Sequence, residues 1–233
     1  MRRANSVIQA MWSTTLDLLY PPRCAGCGQV DTVLCPNCRA VLDAISSPLV
    51  LPALSPLRGL MATGTHAGLL RRVVKSFKFT SDRSTAHALA APLAERLLWA
   101  LQHSRWTVDL IVPLPLHKDR QRDRGYNQSQ ILALALAQRT GISASDRAVI
   151  RWRPTRSQVG LSRAERRKNV QDAFRADPTL VSGRVILLVD DVCTTGATLT
   201  ACAASLIDAG AEAVYGLTVT AAGAAPEKMS PLS

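Results

Sequence analysis

The stretch that decides the fold is VILLVDDVCTTGATLTACAASLIDAGA, residues 185–211. It opens with five apolar residues in a row, VILLV at 185–189. A run like this, rich in Val, Ile and Leu, suits a strand covered on both faces. Asp190 and Asp191 end the run, residues 192–197 read as a short turn, and residues 198–209 read as a helix stopped by Gly210. A second apolar strand is expected at 213–219. Strand, turn, helix and strand make one crossover unit of a parallel sheet. Upstream, LIVPLPL at 110–116 is a strand candidate interrupted by Pro113 and Pro115, and residues 128–139 form an Ala- and Leu-rich helix. The expected fold is therefore α/β from about residue 60 onward: a parallel sheet flanked by helices.

The segment after VILLV also carries chemistry. In an open α/β sheet, ligands bind at the carboxyl ends of strands. Here that end offers Thr194, Thr195, Gly196, Ala197 and Thr198, with a helix N-terminus directly behind them. Hydroxyls and unpaired helix amides suit a phosphate, and Gly196 lets the backbone come close. Asp190 and Asp191 suit a sugar diol or Mg2+ instead. A ribose 5-phosphate has both a diol and a phosphate. Neither G-x-x-x-x-G-K-[ST] nor G-x-G-x-x-G occurs, which disfavours nucleoside-triphosphate and dinucleotide loops.

The N-terminal part has a different character. Cys24, Cys27, Cys35 and Cys38 form two C-x-x-C knuckles seven residues apart. Four thiolates from two knuckles suit tetrahedral Zn2+ in a closed, structural site. Paired disulfides and an iron–sulfur cluster are the alternatives; disulfides would need an oxidising compartment. Residues 46–60, rich in Pro and Ser, read as a linker or an extended entry. The expected organisation is an N-terminal helix and zinc module over 1–45, the α/β domain over 46–223, and a flexible tail over 224–233.

Bulk properties narrow the partners. The chain has 233 residues, a formal net charge of +11 and 47% hydrophobic residues. That is enough apolar material for a real core, and the charge favours anionic partners such as nucleic acid or phosphorylated ligands. No apolar run reaches the roughly 18 residues of a spanning helix. Residues 4–20 lack the unbroken apolar segment of a signal peptide, so a cytoplasmic location and no membrane span are expected.

Three motifs together carry a family resemblance. DDVCTTGAT at 190–198 resembles the phosphoribosyl pyrophosphate signature of type I phosphoribosyltransferases. VPLPLHKDRQRDRGYNQSQ at 112–130 and RPTRSQVGLSRAERRKNVQDAF at 153–174, with the four-cysteine module, resemble the ComF/GntX family of competence-related proteins. The resemblance spans roughly residues 19–220. It implies a type I phosphoribosyltransferase-like sheet with the acids on the ribose hydroxyls and residues 194–198 on the 5-phosphate. It also implies phosphoribosyl pyrophosphate with Mg2+ as ligand, a transferase activity and a link to DNA uptake. Lys78 and Phe79 match the family's pyrophosphate loop, although Thr80-Ser81-Asp82 stands where a glycine is usual.

The arginine-rich middle stays open to several uses. Arg124, Gln128, Arg156, Arg166 and Asn169 are candidates to contact the ligand, because cations aimed at a leaving pyrophosphate stabilise its charge. The same arginines could track a nucleic-acid backbone or simply solvate a surface. The alternative function is a non-catalytic phosphoribosyl-binding accessory protein that contacts single-stranded DNA or a helicase-type partner. The four histidines show no metal-ligand spacing and receive no role.

Overall fold

The computed structural model describes residues 21–45, 48–52, 54–78, 83–153 and 172–223. Phe79, Arg156, Arg166, Asn169 and the segments 1–20 and 224–233 lie outside the described residues.

The four-cysteine module ends in helix α1 (Pro36–Asp43). Strands β1 (Leu49–Leu51) and β2 (Gly59–Thr65) follow, then helices α2 (Gly68–Phe77) and α3 (Arg83–His103). Next come β3 (Leu110–Pro113), α4 (Lys118–Arg124) and α5 (Gln128–Thr140). A hairpin of β4 (Val149–Arg151) and β5 (Phe174–Ala176) leads to the short helix α6 (Pro178–Val181). The chain closes with β6 (Val185–Cys193), α7 (Ala197–Asp208) and β7 (Ala213–Ala221).

Five strands form one sheet in the order β1-β2-β7-β6-β3. Only β1 runs antiparallel to its neighbour. The VILLV run is the reason β6 sits at the interior of this sheet. Ile186 and Leu188 point into the layer formed by α7, α6 and the β4–β5 hairpin. Val185, Leu187 and Val189 point into the opposite layer, built from α2, α3 and α5. All but Val185 of these five are fully buried. Trp106 stacks on Tyr215 with ring centroids 4.3 Å apart and closes the far end of that second layer.

Three boundaries differ from the sequence expectation. β3 stops at Pro113: the Leu114 amide makes one more bond, to the Val189 carbonyl, and Pro115, with no N–H, cannot continue the ladder. The segment 46–60, a linker or an extended entry by sequence, contains β1, which pairs with β2 along the sheet edge. The expected turn at 192–197 is shorter, since β6 runs through Asp190 and Asp191 to Cys193. The cause is β7, which continues the pairing past the acids: Asp190 faces Thr218, Val192 faces Thr220 and Cys193 faces Ala221. No helix among the described residues is long and apolar enough to cross a membrane.

Candidate functional site

The carboxyl ends of the parallel strands open into a cavity of about 410 Å3. Asp190, Asp191, Lys78, Thr194, Gly196 and Thr198 line it, together with Arg124 and Gln128. Ala197 also lines it; Thr195 sits in the same loop without reaching the lining. The structure thus brings most described candidates to one place. It adds Arg120, Ser129 and Arg151, which sequence reasoning did not single out as ligand contacts.

Strand alternation sends the two carboxylates to opposite faces of the sheet edge. Asp191 turns toward α2 and forms an ion pair with Lys78 at 3.2 Å. Asp190 turns the other way, where its charge is felt by Cys193, Cys202 and Arg151. Its Oδ1 accepts from Ser129 Oγ and from the Asp191 amide, both at 2.8 Å. Burial, reinforced by the neighbouring Asp191 charge, lifts the Asp190 carboxyl to about 7.

The loop between β6 and α7 has the geometry of an anion cradle. Gly196 is the N-cap of α7 in the left-handed region, φ +73°, and offers no side-chain acceptor to the first helix amides. Thr195 Oγ1 accepts from the Ala197 amide at a long 3.4 Å. Those amides and the helix dipole face the cavity. A β-carbon on Gly196 would overlap Leu54 Cδ1, so the segment between β1 and β2 seats directly on the cradle.

The RGYNQS run, 124–129, braces the site residue by residue. Gly125 takes φ +82° and reverses the chain after α4. Tyr126 donates from its hydroxyl to the Phe77 carbonyl at 2.7 Å, fixing the residue before Lys78. Asn127 caps α5 by accepting from the Ser129 amide, and donates to the Leu114 carbonyl. Gln128 is buried against the cavity, and its Nε2 has no hydrogen-bond partner among the described residues. Ser129 then reaches Asp190. His66, given no role from sequence, stands at the end of β2 with Nδ1 hydrogen-bonded to Thr220 Oγ1 at 2.8 Å. Burial, then the charges of Lys78 and Arg71, pull its pKa below the usual histidine range.

The four cysteines form a second centre. Their sulfurs all lie within 4.8 Å of one another, and Cys27 and Cys35 Sγ are 3.6 Å apart. Tetrahedral Zn–S bonds of about 2.3 Å would put sulfurs about 3.8 Å apart, so the donor set fits Zn2+. Backbone amides support it: Cys35 N–H points at Cys24 Sγ and Cys38 N–H at Cys35 Sγ. Without a cation the four sulfurs resist ionising together; burial and the neighbouring thiols push Cys38 up to about 12. A divalent ion removes that conflict. Gly26 is required here because a β-carbon would lie 2.7 Å from Cys38 Sγ. The six cysteines form no disulfide. The module docks on α2, where Arg72 donates to the Gly26 carbonyl and Leu69 packs on the cysteine cluster.

Comparison with known proteins bears on the four-cysteine centre and on the family of the chain. Residues 15–49 match the model of the double zinc ribbon domain, which makes the four-cysteine site a structural zinc site. The chain is 35% identical over 200 residues to the DNA utilization protein YhgH of Escherichia coli (strain K12), covering 82% of this chain and 85% of that one. It is 33% identical over 142 residues to competence protein F of Haemophilus influenzae, covering 58% of this chain and 61% of that one. Competence protein ComFC of Bacillus subtilis is 27% identical over 189 residues, 80% of this chain and 72% of that one. Among solved structures, the glutamine phosphoribosylpyrophosphate amidotransferase of B. subtilis aligns over 58% of this chain and 26% of its own. Its TM-score is 0.39 and its identity 24%. Mycobacterium tuberculosis orotate phosphoribosyltransferase aligns over 80% and 85% at a TM-score of 0.36 and 19% identity. With a zinc ribbon at its start and the YhgH and competence-protein sequence along most of its length, the chain belongs to the ComF/GntX family of competence-related proteins.

Proposed function

We propose that the cavity at the end of β6 binds phosphoribosyl pyrophosphate with Mg2+, and that the protein transfers the phosphoribosyl group to an acceptor. One observation carries this reading: two acids, an uncapped helix N-terminus and a lysine line a single cavity. The acids suit the ribose hydroxyls, the loop 194–198 suits the 5-phosphate, and Lys78 suits the pyrophosphate. Two like-charged carboxylates in one site, one of them held near 7, form a donor set that favours a divalent cation. Asp190 and Asp191 would hold Mg2+ directly or through water, and the ion would offset charge on the pyrophosphate oxygens.

The protein's own groups account for the rest. Before ligand arrives, Lys78 and Asp191 hold each other. Pyrophosphate would replace Asp191 as the lysine's partner and free that carboxylate for the ribose. Gln128 would donate its unpaired amide to the bound sugar phosphate. Arg120 and Arg124 would stabilise the charge that grows on pyrophosphate as its bond to the ribose breaks. The family resemblance adds Phe79, Arg156, Arg166 and Asn169 to the ligand contacts. The relatives' competence and DNA-utilization names support a role in DNA uptake. A DNA strand or a DNA-processing protein is the partner such a role would require.

Calorimetry with phosphoribosyl pyrophosphate and Mg2+ tests the reading. The wild type is expected to bind, and the double variant Asp190→Asn, Asp191→Asn to lose about 100-fold or more in affinity, the scale of losing two charge-assisted contacts. No binding by the wild type would reject the site assignment. Binding without pyrophosphate release on any acceptor would favour the non-catalytic accessory reading.

The Asp190 carboxyl supplies a pH signature. Its folded pKa, about 7, stands above the ordinary 3.8. The protonated form is therefore favoured by folding. Its contribution is fully present below about pH 4 and is lost as pH rises through 7. Ligand-free protein should melt lower at pH 8 than at pH 6, and Asp190→Asn should flatten that difference. Ligand affinity should move the opposite way, strengthening from pH 6 to 8, because hydroxyl donors and cations want the carboxylate. Equal pH slopes in wild type and Asp190→Asn would contradict the assignment.

A further inference from the structure

On the other side of the segment that follows β3 lies a second cavity, of about 430 Å3. The two cavities share Pro115, Leu116 and Arg151, so they are separated by one wall and one guanidinium. The second cavity is built differently from the first. Pro113, Pro115, Leu116 and Val149 give it flat apolar surfaces. Trp152, just after β4, forms another wall and is 49% exposed. Arg175 covers one face of its indole, with the guanidinium carbon 5.3 Å from the ring. About half of this residue stays exposed, which leaves room for something flat to stack on the indole.

The charged groups in this lining are unequal. Asp146 already accepts from the Gln130 amide. Lys118 and Arg151 outnumber Asp146 among the charged groups, in a hollow lined about equally by apolar and polar side chains. Arg151 is itself buried, with its guanidinium 5.4 Å over the Phe174 ring. A buried cation next to an aromatic shelf selects for a ring that carries negative charge. A group-transfer enzyme must also hold its two reactants side by side, and this hollow adjoins the donor cavity.

We propose that the second cavity is the acceptor subsite and that it takes a planar nitrogen-containing aromatic ring bearing a carboxylate. The ring stacks on Trp152 and its carboxylate meets Lys118 and Arg151. The proposal rests on the reading of the first cavity as the phosphoribosyl donor site. In the reaction, a nitrogen of the acceptor supplies the electron pair for a new bond to the anomeric carbon. The bond from that carbon to pyrophosphate oxygen breaks, pyrophosphate leaves with the pair, and any proton on the nitrogen goes to water.

Ligand-observed NMR on the full chain tests it with nicotinate and orotate as probes, against their uncharged counterparts nicotinamide and uracil. The acids are expected to bind about tenfold more tightly than the neutral rings, as one charge-assisted contact implies. Trp152→Ala should weaken the acids by about tenfold, in line with loss of one stacking face. Lys118→Ala should erase the preference for acids over neutral rings. Acids that bind no better than neutral rings, or that ignore Trp152→Ala, overturn the proposal. Donor binding is followed by calorimetry on the same samples. Donor binding without aromatic-acid binding overturns the subsite alone. Aromatic-acid binding without donor binding overturns the donor reading and with it the acceptor role.

Discussion

Stripping zinc with a strong chelator, or replacing Cys35 by Ser, is expected to unfold the segment around residues 23–44 while the parallel sheet stays folded. The cysteine cluster buries only Cys24, Cys35 and Cys38, with Leu34 and the α2 residue Leu69 packed beside them, and α1 adds Leu42, which is buried in the main core. A cluster that small cannot offset the entropy of ordering some 20 residues, at about 1–2 kcal/mol each. Zinc, at about 10–16 kcal/mol in small modules, is the term that balances it. Cys35 is the most telling position. It is 1% exposed, caps α1 through its sulfur, and lies 3.6 Å from Cys27 Sγ. Hydrogen exchange would show the loss directly as rapid labelling of the Cys24, Ala25 and Gly28 amides, which are bonded to Gln29, Val33 and Cys24 carbonyls. The sheet amides of β6 and β7 should stay protected. Protection of the module that survives complete metal removal would refute a zinc-supported fold.

Gly196→Val is expected to cost both stability and ligand binding. The residue sits at φ +73°, where a β-branched side chain is strained by about 1–2 kcal/mol or more. Its side chain would also overlap Leu54. Relief requires either the β1–β2 segment to lift away or the N-terminal turn of α7 to shift. Both moves spoil the cradle. Thermal melting should show a loss of about 2–4 kcal/mol, the usual size for combined backbone strain and overpacking. Affinity for phosphoribosyl pyrophosphate should fall by about 100-fold or more, since a misplacement near 1 Å already has that scale of effect. The Leu54→Ala, Gly196→Val double variant separates the two causes. Removing Leu54 should restore part of the stability lost to overlap but none lost to the backbone.

Much of this molecule is legible before any coordinates. VILLV predicts a doubly covered strand because its residues need two apolar layers, and Ile186 and Leu187 do face different ones. The four-cysteine spacing predicts a closed tetrahedral donor set because each knuckle aims two sulfurs inward. What escapes the sequence is pairing over long distance. Nothing in DDVC tells that β7 continues alongside it, so the strand reads as ending at the acids, whereas it runs on to Cys193. The run RGYNQS read as a source of ligand contacts, yet Tyr126, Asn127 and Ser129 spend their polar atoms bracing Phe77, Leu114 and Asp190. Leu54 gave no signal at all. Its role depends on a contact with Gly196 across 142 positions of chain, which only the folded topology creates. Trp152 carried a weak signal: a tryptophan flanked by Arg151 and Arg153 at the start of the basic stretch.

The opposed aspartates have a consequence for the whole protein. Because Asp190 and Asp191 leave β6 on different sides, the strand's edge works as a watershed between the two hydrophobic layers. Asp191 answers to one layer, while Asp190 is held from both, because Ser129 of α5 donates to its carboxylate. Loosening the layer of α2, α3 and α5, where Phe77 is completely buried beside Lys78, disturbs the Asp191 arm. Loosening the layer of α7 and the β4–β5 hairpin disturbs Asp190 and the guanidinium of Arg151. Remote core substitutions on the α7 side should therefore be felt at the sugar and acceptor end of the ligand, whereas those on the α2, α3 and α5 side should reach both acids, through Lys78 and through Ser129, and so both ends.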